Sequence, residues 1–348
     1  MKNTLRYFIF SVIILLVITA YLFLASATNF DEKTKSFVVE EGKTNKDEVV
    51  ELLKQKGVIT NGLAFTLLSD QLNVWSKIHP GKYEVRKKDN LLTIVKMLRN
   101  NRQVQVKLII NKFRTNEEFA KLIGKNFSTD SAAAIQYFST NDSLKAFSID
   151  TNTIATIIVP NTYLFYWETP LEKIFFRLPA ASEAFGAEDN RLDKAKALGF
   201  SPKEIYTLAS IVEEETNMAS DKGKIASVYI NRYHKGMNLG ADPTVKFALK
   251  DFSIKRILFQ HLTVASPYNT YKNKGLPPGP ICTPSINTID AVLNAPSTSF
   301  LYFVAKADFS GYSNFSSNFA EHSQYAKQYQ AALNEYLAKK KINSSDQN

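Results

Sequence analysis

The chain has a single cysteine, Cys282, among 348 residues, and only four histidines. One cysteine makes no internal disulfide, so the fold must be held by its core. Cys282 also has no histidine beside it in sequence, which makes it a small buried residue rather than a nucleophile. His79, His234, His261 and His322 lack ligand spacing such as His-x-x-x-His, so neither a metal centre nor another cofactor is expected. There is no internal repeat. Blocks of one charge are missing as well: the net charge of +10 is spread over scattered lysines and arginines. Such a spread is first of all a solvated surface. It also suits anionic lipid or cell-wall polymers, and argues against nucleic acid as the partner of an exported chain.

What the sequence does have is a long apolar run at its start. Residues 7–27 carry only Ser11, Thr19 and Ser26 as polar interruptions, enough at about 1.5 Å per residue to cross a hydrocarbon core of about 30 Å. Ala25-Ser26-Ala27 resembles a signal-cleavage site, so a processed, secreted form is the alternative. The run exceeds the ~7–15 residues of a signal h-region, which favours an uncleaved anchor. Lys2 and Arg6 precede it, whereas Asp31, Glu32, Lys33 and Lys35 after it balance. The amino terminus is therefore expected in the cytoplasm and the remainder outside. No cysteine follows the run, so a lipoprotein anchor is excluded.

The 45% apolar content supports a sizeable core, and the periodicities predict an α+β chain with two folded parts after the anchor. Residues 37–107 read as strand, helix, turn, strand, helix, strand. Thr44, Asn45, Asp47 and Glu48 supply capping signals, Val49-Val50 and Leu52-Leu53 a stripe, and Gly57 a stop. A second stripe is Leu91, Ile94, Val95 and Leu98; Val104, Val106, Leu108 and Ile110 alternate as a half-buried strand. Residues 126–153, rich in Ser, Thr, Asn and Asp, read as a boundary or loosely packed helical insert. Beyond them lie a helix at 221–234, a Pro/Gly-containing loop region at 265–285, a short buried strand at 302–305 and an amphipathic helix at 319–337. The polar tail after Lys339 reads as disordered.

One run stands out: Leu208-Ala209-Ser210-Ile211-Val212-Glu213-Glu214-Glu215-Thr216. At about 100° per residue, Ile205, Leu208, Ile211 and Val212 share a face with Glu215 in its middle, and Glu213 and Glu214 fall to the flanks, as on a solvated face. Desolvation disfavours a charged carboxyl and raises its pKa, as a general acid near neutral pH requires. A glutamate near the helix end that snorkels or pairs with a lysine fits the same spacing.

Four later segments are rich in Asn, Asp, Tyr, Pro and Gly: Tyr229-Ile230-Asn231-Arg232, Ala241-Asp242-Pro243-Thr244, Ser266 through Gly279, and Asn318 to His322. Stiff loops bearing aromatic and amide groups suit sugar binding, and they are also common in plain turns.

These motifs, with Val228, Val245, Tyr268-Asn269-Thr270-Tyr271, Gly275-Leu276-Pro277-Pro278-Gly279 and Pro284 in order, closely resemble the YceG-like (MltG) endolytic murein transglycosylases. The resemblance covers nearly the whole chain. It implies a cytoplasmic amino terminus and transmembrane helix at 1–28, a membrane-proximal LysM-like module at 29–110, a larger mixed α/β catalytic domain at 111–338 and a disordered tail at 339–348. It further implies cleavage of the MurNAc-GlcNAc β-1,4 bond within peptidoglycan glycan strands, without water, by a protein held by a single pass in the bacterial inner (cytoplasmic) membrane, with cell-wall synthases as further partners. The family's catalytic glutamate, the one before the Thr, maps onto Glu215. Glu213, Asn231, Asp242, Thr244, Tyr268, Asn269, Tyr271 and His322 match motif positions as supporting or sugar-contacting residues. The chain departs from the family at Asn161 of Pro160-Asn161-Thr162-Tyr163, where the family has Asp, and at Ile110-Asn111-Lys112, Ser316 and Ser323. Two other readings compete. A two-carboxylate hydrolase would take Asp242 as its second acid, although Asp before Pro-Thr also makes a turn or cap. A non-catalytic, membrane-anchored wall-binding or scaffold protein would use the same loops only to hold glycan.

Overall fold

The computed structural model describes the backbone of residues 2–345, with the side chains of 2–4, 15, 16, 18, 19, 22, 141, 143 and 340–345 outside the described set. Two compact units emerge: Met1–Leu108 with Ile123–Asp130 and Leu164–Pro170, and Ile109–Leu122 with Ser131–Tyr163 and Leu171–Asn348.

The first unit starts with α1 (Lys2–Leu24). Among the described residues no helix is long and apolar enough to cross a membrane, and the run expected to do so, 7–27, includes positions outside the described side chains. Its last part departs from the expectation: the helix stops at Leu24, and Ala27, 4% exposed, joins the core of the unit. There β1 (Thr34–Val39) pairs antiparallel with β2 (Gly81–Arg86), setting Phe37 opposite Tyr83 with their rings stacked at 5.7 Å. Between the strands lie α2 (Lys46–Gln55) and α3 (Gly62–Gln71), each begun by an asparagine, Asn45 or Asn61, that accepts a backbone N–H of the first turn. Gly57 ends α2 at φ +64°, and a Cβ there would come within 2.7 Å of the Asn29 carbonyl oxygen, so the turn needs glycine. The stripe Leu91, Ile94, Val95 and Leu98 is buried as its period requires, on α4 (Leu91–Arg99). The sequence reading missed α3, whose Leu63 and Leu67 face solvent and blur its apolar period.

The division between the units passes through β3 (Val106–Ile110), α5 (Asn116–Asn126) and β4 (Asn161–Phe165). The second unit holds α6 (Ser131–Ser139) and α7 (Asn141–Lys145). This polar stretch is better packed than its composition suggests: Ala134, Phe138 and Leu144 are wholly buried. The ring of Phe138 stacks on Phe119 at 5.3 Å, and Phe119 on Phe113 at 4.9 Å. Next come α8 (Leu171–Ala187) and α9 (Arg191–Ala197), then the central helix α10 (Pro202–Glu215). Its core neighbours are α11 (Ala219–His234), α12 (Asp242–Leu249) and α13 (Ile286–Leu293).

β5 (Tyr302–Ala305) and β6 (Ser313–Ser316) form an antiparallel hairpin. β5 is half-exposed rather than buried, since the hairpin lies at the margin of the core. The last helix, α14 (Phe319–Ser345), runs beyond the amphipathic stretch and takes in most of the tail read as disordered. The helix-forming Lys and Ala residues at its end extend it; residues 346–348 lie outside the described set.

The Phe119 stack is the firmest packing claim for the second unit. Phe119→Ala should cost about 3–5 kcal/mol of unfolding free energy in a denaturant titration; a loss below about 1 kcal/mol would mean that the stack contributes little.

Candidate active site

Helix α10 is built to end at one place. Ser201 and Glu204 form a reciprocal capping box and Pro202 occupies the first turn, so the start of the helix is fixed. Ile205, Leu208, Ile211 and Val212 are buried, which fixes its rotation. Glu215 is then the last helical residue, on the buried side, before Thr216 leaves in an extended conformation at φ −151°. The side chain keeps a partial opening to solvent.

What meets it is a phenol. The hydroxyl of Tyr229, from α11, donates to Glu215 Oε1 at 2.5 Å. Burial pushes the Glu215 carboxyl up to about 7; the Tyr229 bond opposes the shift, Asp242 adds to it, and Lys246 and Arg232 oppose it from further off. The carboxyl also sits at the helix carbonyl end, where the backbone dipole disfavours an anion. Among the described residues no lysine or arginine forms an ion pair with it, so the lysine-paired reading does not hold. Burial raises the Tyr229 phenol well above its ordinary range, as does the neighbouring carboxyl, so the phenol remains a donor.

The two preceding glutamates are not solvated, contrary to the reading from helical position. Glu213 is paired with Lys222 at 2.9 Å and also accepts from Ser285 and Thr288. Burial pushes its carboxyl up, but the Thr288 hydroxyl and the Lys222 ammonium outweigh this and hold it below the usual range. Glu214 takes a bidentate bond from Arg114 (3.2 and 3.1 Å) and Lys112 at 2.6 Å. Its carboxyl too is held low, burial being outweighed by the two cations. Of the three consecutive carboxyls, only the last is without an ion pair among the described residues.

The remaining residues of the motifs separate by what they touch. Asp242 opens α12, is exposed and accepts from the Tyr271 hydroxyl at 2.5 Å. Its side chain does not cap the helix. Asn231 spends both amide hydrogens on the carbonyls of Thr298 and Phe300, each at 2.9 Å. Thr244 is buried and donates to Ala241 O at 2.6 Å. Asn269, also buried, donates to the carbonyls of Leu262 and Val264 and accepts from the Tyr271 N–H. These three shape loops rather than face a ligand. The Tyr268 ring packs on Phe247 at 4.6 Å. His322 stacks on Tyr302 at 5.2 Å, and Arg232 lies over the same ring at 5.3 Å. Burial, then the Arg232 charge, lowers the His322 pKa.

Cys282 is buried with its thiol near Ser210 O at 3.5 Å, and burial pushes its pKa far up. Among the described residues no His, Cys, Asp and Glu side chains group as metal ligands would. The sequence reading did not mention Arg114 or Lys222, and it quoted Tyr229 and Arg232 only as part of a motif. Tyr229 lies within a quoted motif and on the apolar face of its helix; the cations give no local signal, because Arg114 and Lys222 meet their partners only through the fold.

The sequence and the fold match a known class. Residues 37–328 match the model of the YceG-like family, and the chain belongs to that family. It is 41% identical over 135 residues to the endolytic murein transglycosylase of Bacillus subtilis (strain 168), covering 39% of this chain and 37% of that protein. It is 25% identical over 315 residues to the endolytic murein transglycosylase of Streptococcus pneumoniae serotype 2, covering 81% of this chain and 56% of that one. The chain thus spans about half the length, or less, of the curated relatives it matches. A crystal structure of a yceG-like protein from Listeria monocytogenes superposes with a TM-score of 0.55 at 27% identity, covering 84% of this chain and 99% of that one.

The raised carboxyl has a consequence for stability. The folded chain keeps a proton on Glu215 up to about pH 7, whereas the unfolded chain releases it near 4.5. Stability is therefore lost as pH rises from about 4.5 to 7 and is level above that window, an effect on the order of 3 kcal/mol. In melting curves Glu215→Gln should gain on the wild type by a few degrees across this window; a difference that does not change with pH would refute the buried, protonated carboxyl.

Proposed function

We propose that this chain is an endolytic murein transglycosylase, a lyase that cuts the MurNAc-GlcNAc β-1,4 bond inside peptidoglycan strands and leaves a 1,6-anhydroMurNAc end. The observation that carries the reading is the buried carboxyl of Glu215, which accepts from Tyr229 and forms no ion pair among the described residues, at the position where the family has its catalytic glutamate. The names of the relatives support the same chemistry.

Glu215, protonated in a substantial fraction near neutral pH, gives its proton to the glycosidic oxygen as the bond from that oxygen to C1 breaks. The C6 hydroxyl of the same MurNAc attacks C1 and forms the bridging C1–O6 bond. Its proton passes to the Glu215 carboxylate, which restores the acid, and no water is consumed. Tyr229 donates to the transient carboxylate throughout, so the anion is stabilised without a cation that would depress its pKa permanently. Asp242 supports this from a distance: its negative charge disfavours ionisation of Glu215. Its own bond to Tyr271 and its exposure fit a nucleophile poorly.

By the same reading Glu213, Asn231, Thr244, Asn269 and His322 support the site, and Tyr268 and Tyr271 contact sugar. The apolar run at 7–27 serves as a single-pass anchor with the amino terminus in the cytoplasm and the rest outside it. Residues 29–110 act as a LysM-like module that holds glycan near the membrane, and residues 111–338 cut it. Nascent strands and the synthases that make them follow as substrate and partners.

Purified full-length chain acting on intact strands should release anhydro-ended muropeptides by mass analysis. Glu215→Gln should lower this by about 10²–10⁴-fold, the usual worth of a positioned acid. The wild-type kcat/KM should fall as pH rises through about 7, because the acid form is then lost. Tyr229→Phe removes the bond that favours the charged form, so the fall should move to higher pH. Hydrated, non-anhydro ends, or equal release by Glu215→Gln, would sink the assignment.

A further inference from the structure

The first unit is fastened to the end of α1 at several points. The chain leaves that helix at Leu24, and Ala27 then donates its N–H to Asp89 O and accepts from the Thr60 N–H, both at 2.9 Å. Asn29 donates to Gly57 O at 2.8 Å, and Thr28 Oγ1 accepts from the Lys88 N–H at 2.9 Å. The turn between α2 and α3 and the loop after β2 are thereby held beside the point where the apolar run ends. On the anchored reading above, the chain emerges from the hydrocarbon core at that point, so both segments stand at the bilayer surface.

Helix α3 packs against α1 and begins just beyond Thr60. Its Ala64, Phe65, Leu68 and Ser69 are buried, whereas Leu63 and Leu67, on the opposite side, are 80% and 64% exposed. Residues four apart share a helix face, so the two leucines form one apolar patch. Leu63 lies three residues from Thr60 and hence within about 11 Å of it, which places the start of the patch close to the exit of the chain. The stem of Lys54, near the end of α2, lies against Gly62 and sets an ammonium beside the leucines. Asp70, further along the same face, is paired with Lys46 at 3.0 Å. Among the described residues Lys54, Lys56, Arg86 and Lys88 form no ion pair, while Lys87 meets Asp31 at 3.4 Å. Over residues 28–35, 51–60 and 84–90 together, seven cations stand against five acids, a small positive excess.

Three kinds of occupant compete for such a patch. A sugar needs polar partners for its hydroxyls or a ring to stack on, and the patch offers two aliphatic side chains. A second copy of the chain needs about 800 Å² per partner for a stable interface, more than two leucines supply. A bilayer surface takes apolar side chains into the acyl boundary and cations against lipid phosphates, and the anchor already brings it to this side of the unit. We propose that Leu63 and Leu67 dip into the outer leaflet beside the anchor, with Lys54 against the lipid phosphates. The first unit is then held to the membrane at two places and does not turn freely about α1. This rests on the anchored reading of the run at 7–27.

The test places the full-length chain in vesicles of phosphatidylglycerol and phosphatidylethanolamine. Cys282 is 2% exposed, so a thiol-reactive fluorophore labels an introduced cysteine instead. Leu67→Cys carries the probe, and Lys43→Cys, exposed beyond the end of β1 that lies away from Thr34, carries the control. The probe at 67 should be quenched by nitroxide-bearing lipids and reached by aqueous iodide about tenfold less than the one at 43, as fits a side chain sunk about 5–10 Å into the boundary. Adding Leu63→Glu, at an exposed position outside the core, should restore most of the iodide quenching at 67. Equal iodide quenching at the two positions, no quenching by lipid, or no response to Leu63→Glu would overturn the proposal. So would shielding of position 67 that appears only at high protein density, which marks a second copy, or only on adding glycan strands, which marks sugar. Retention on the vesicles through an alkaline wash reports the anchor by itself. A chain that washes off removes the anchored reading and the proposal with it, whereas a retained chain with an iodide-exposed position 67 overturns the proposal alone.

Discussion

The site depends on one constraint: a carboxyl is placed where water is scarce, and among the described residues no cation pairs with it. Helix α10 imposes it. Its capping box sets where the helix begins, its apolar stripe sets how it is rotated, and Glu215 arrives at the end on the buried side. Among the described residues the one side-chain bond it receives is from the Tyr229 hydroxyl at 2.5 Å. A neutral donor can stabilise the anion when it forms without forcing the group to be an anion beforehand, which is the balance a group that gives and then takes a proton requires.

The neighbours of Glu215 show how narrow that balance is. Glu213 and Glu214 share its backbone and much of its burial, yet Lys222 in one case and Lys112 with Arg114 in the other hold them as anions. Burial alone therefore does not make an acid; burial without an ion pair does. The paired glutamates contribute differently: each ties α10 to another element, Glu213 to α11 and α13, Glu214 to the segment before α5. The helix that carries the reactive group is thereby braced on both flanks.

Much of this was legible in the sequence where the signal is local. The cap at Asn45, the stop at Gly57 and the stripe on α4 are short-range patterns, and the placement of Glu215 on an apolar face is another. Readings failed where the deciding contact is distant. Arg114 meets Glu214 across 100 positions, so the flank that looked solvated carries an ion pair. Asn231, Thr244 and Asn269, read as supporting or sugar-contacting residues, direct most of their hydrogen bonds to backbone groups of the loops. The apolar strand at 302–305 was read as buried because its composition is silent about its edge position, and α3 escaped because two of its leucines point outward.

The account is tested most directly by titrating the side-chain carboxyl carbon of Glu215 by ¹³C NMR in the full-length chain, assigned by its disappearance in Glu215→Gln. A midpoint near 7, against an ordinary 4.5, is the predicted result. A midpoint at or below the ordinary value would show an ionised, compensated carboxylate, and would contradict the role given to Glu215 and to its bond with Tyr229.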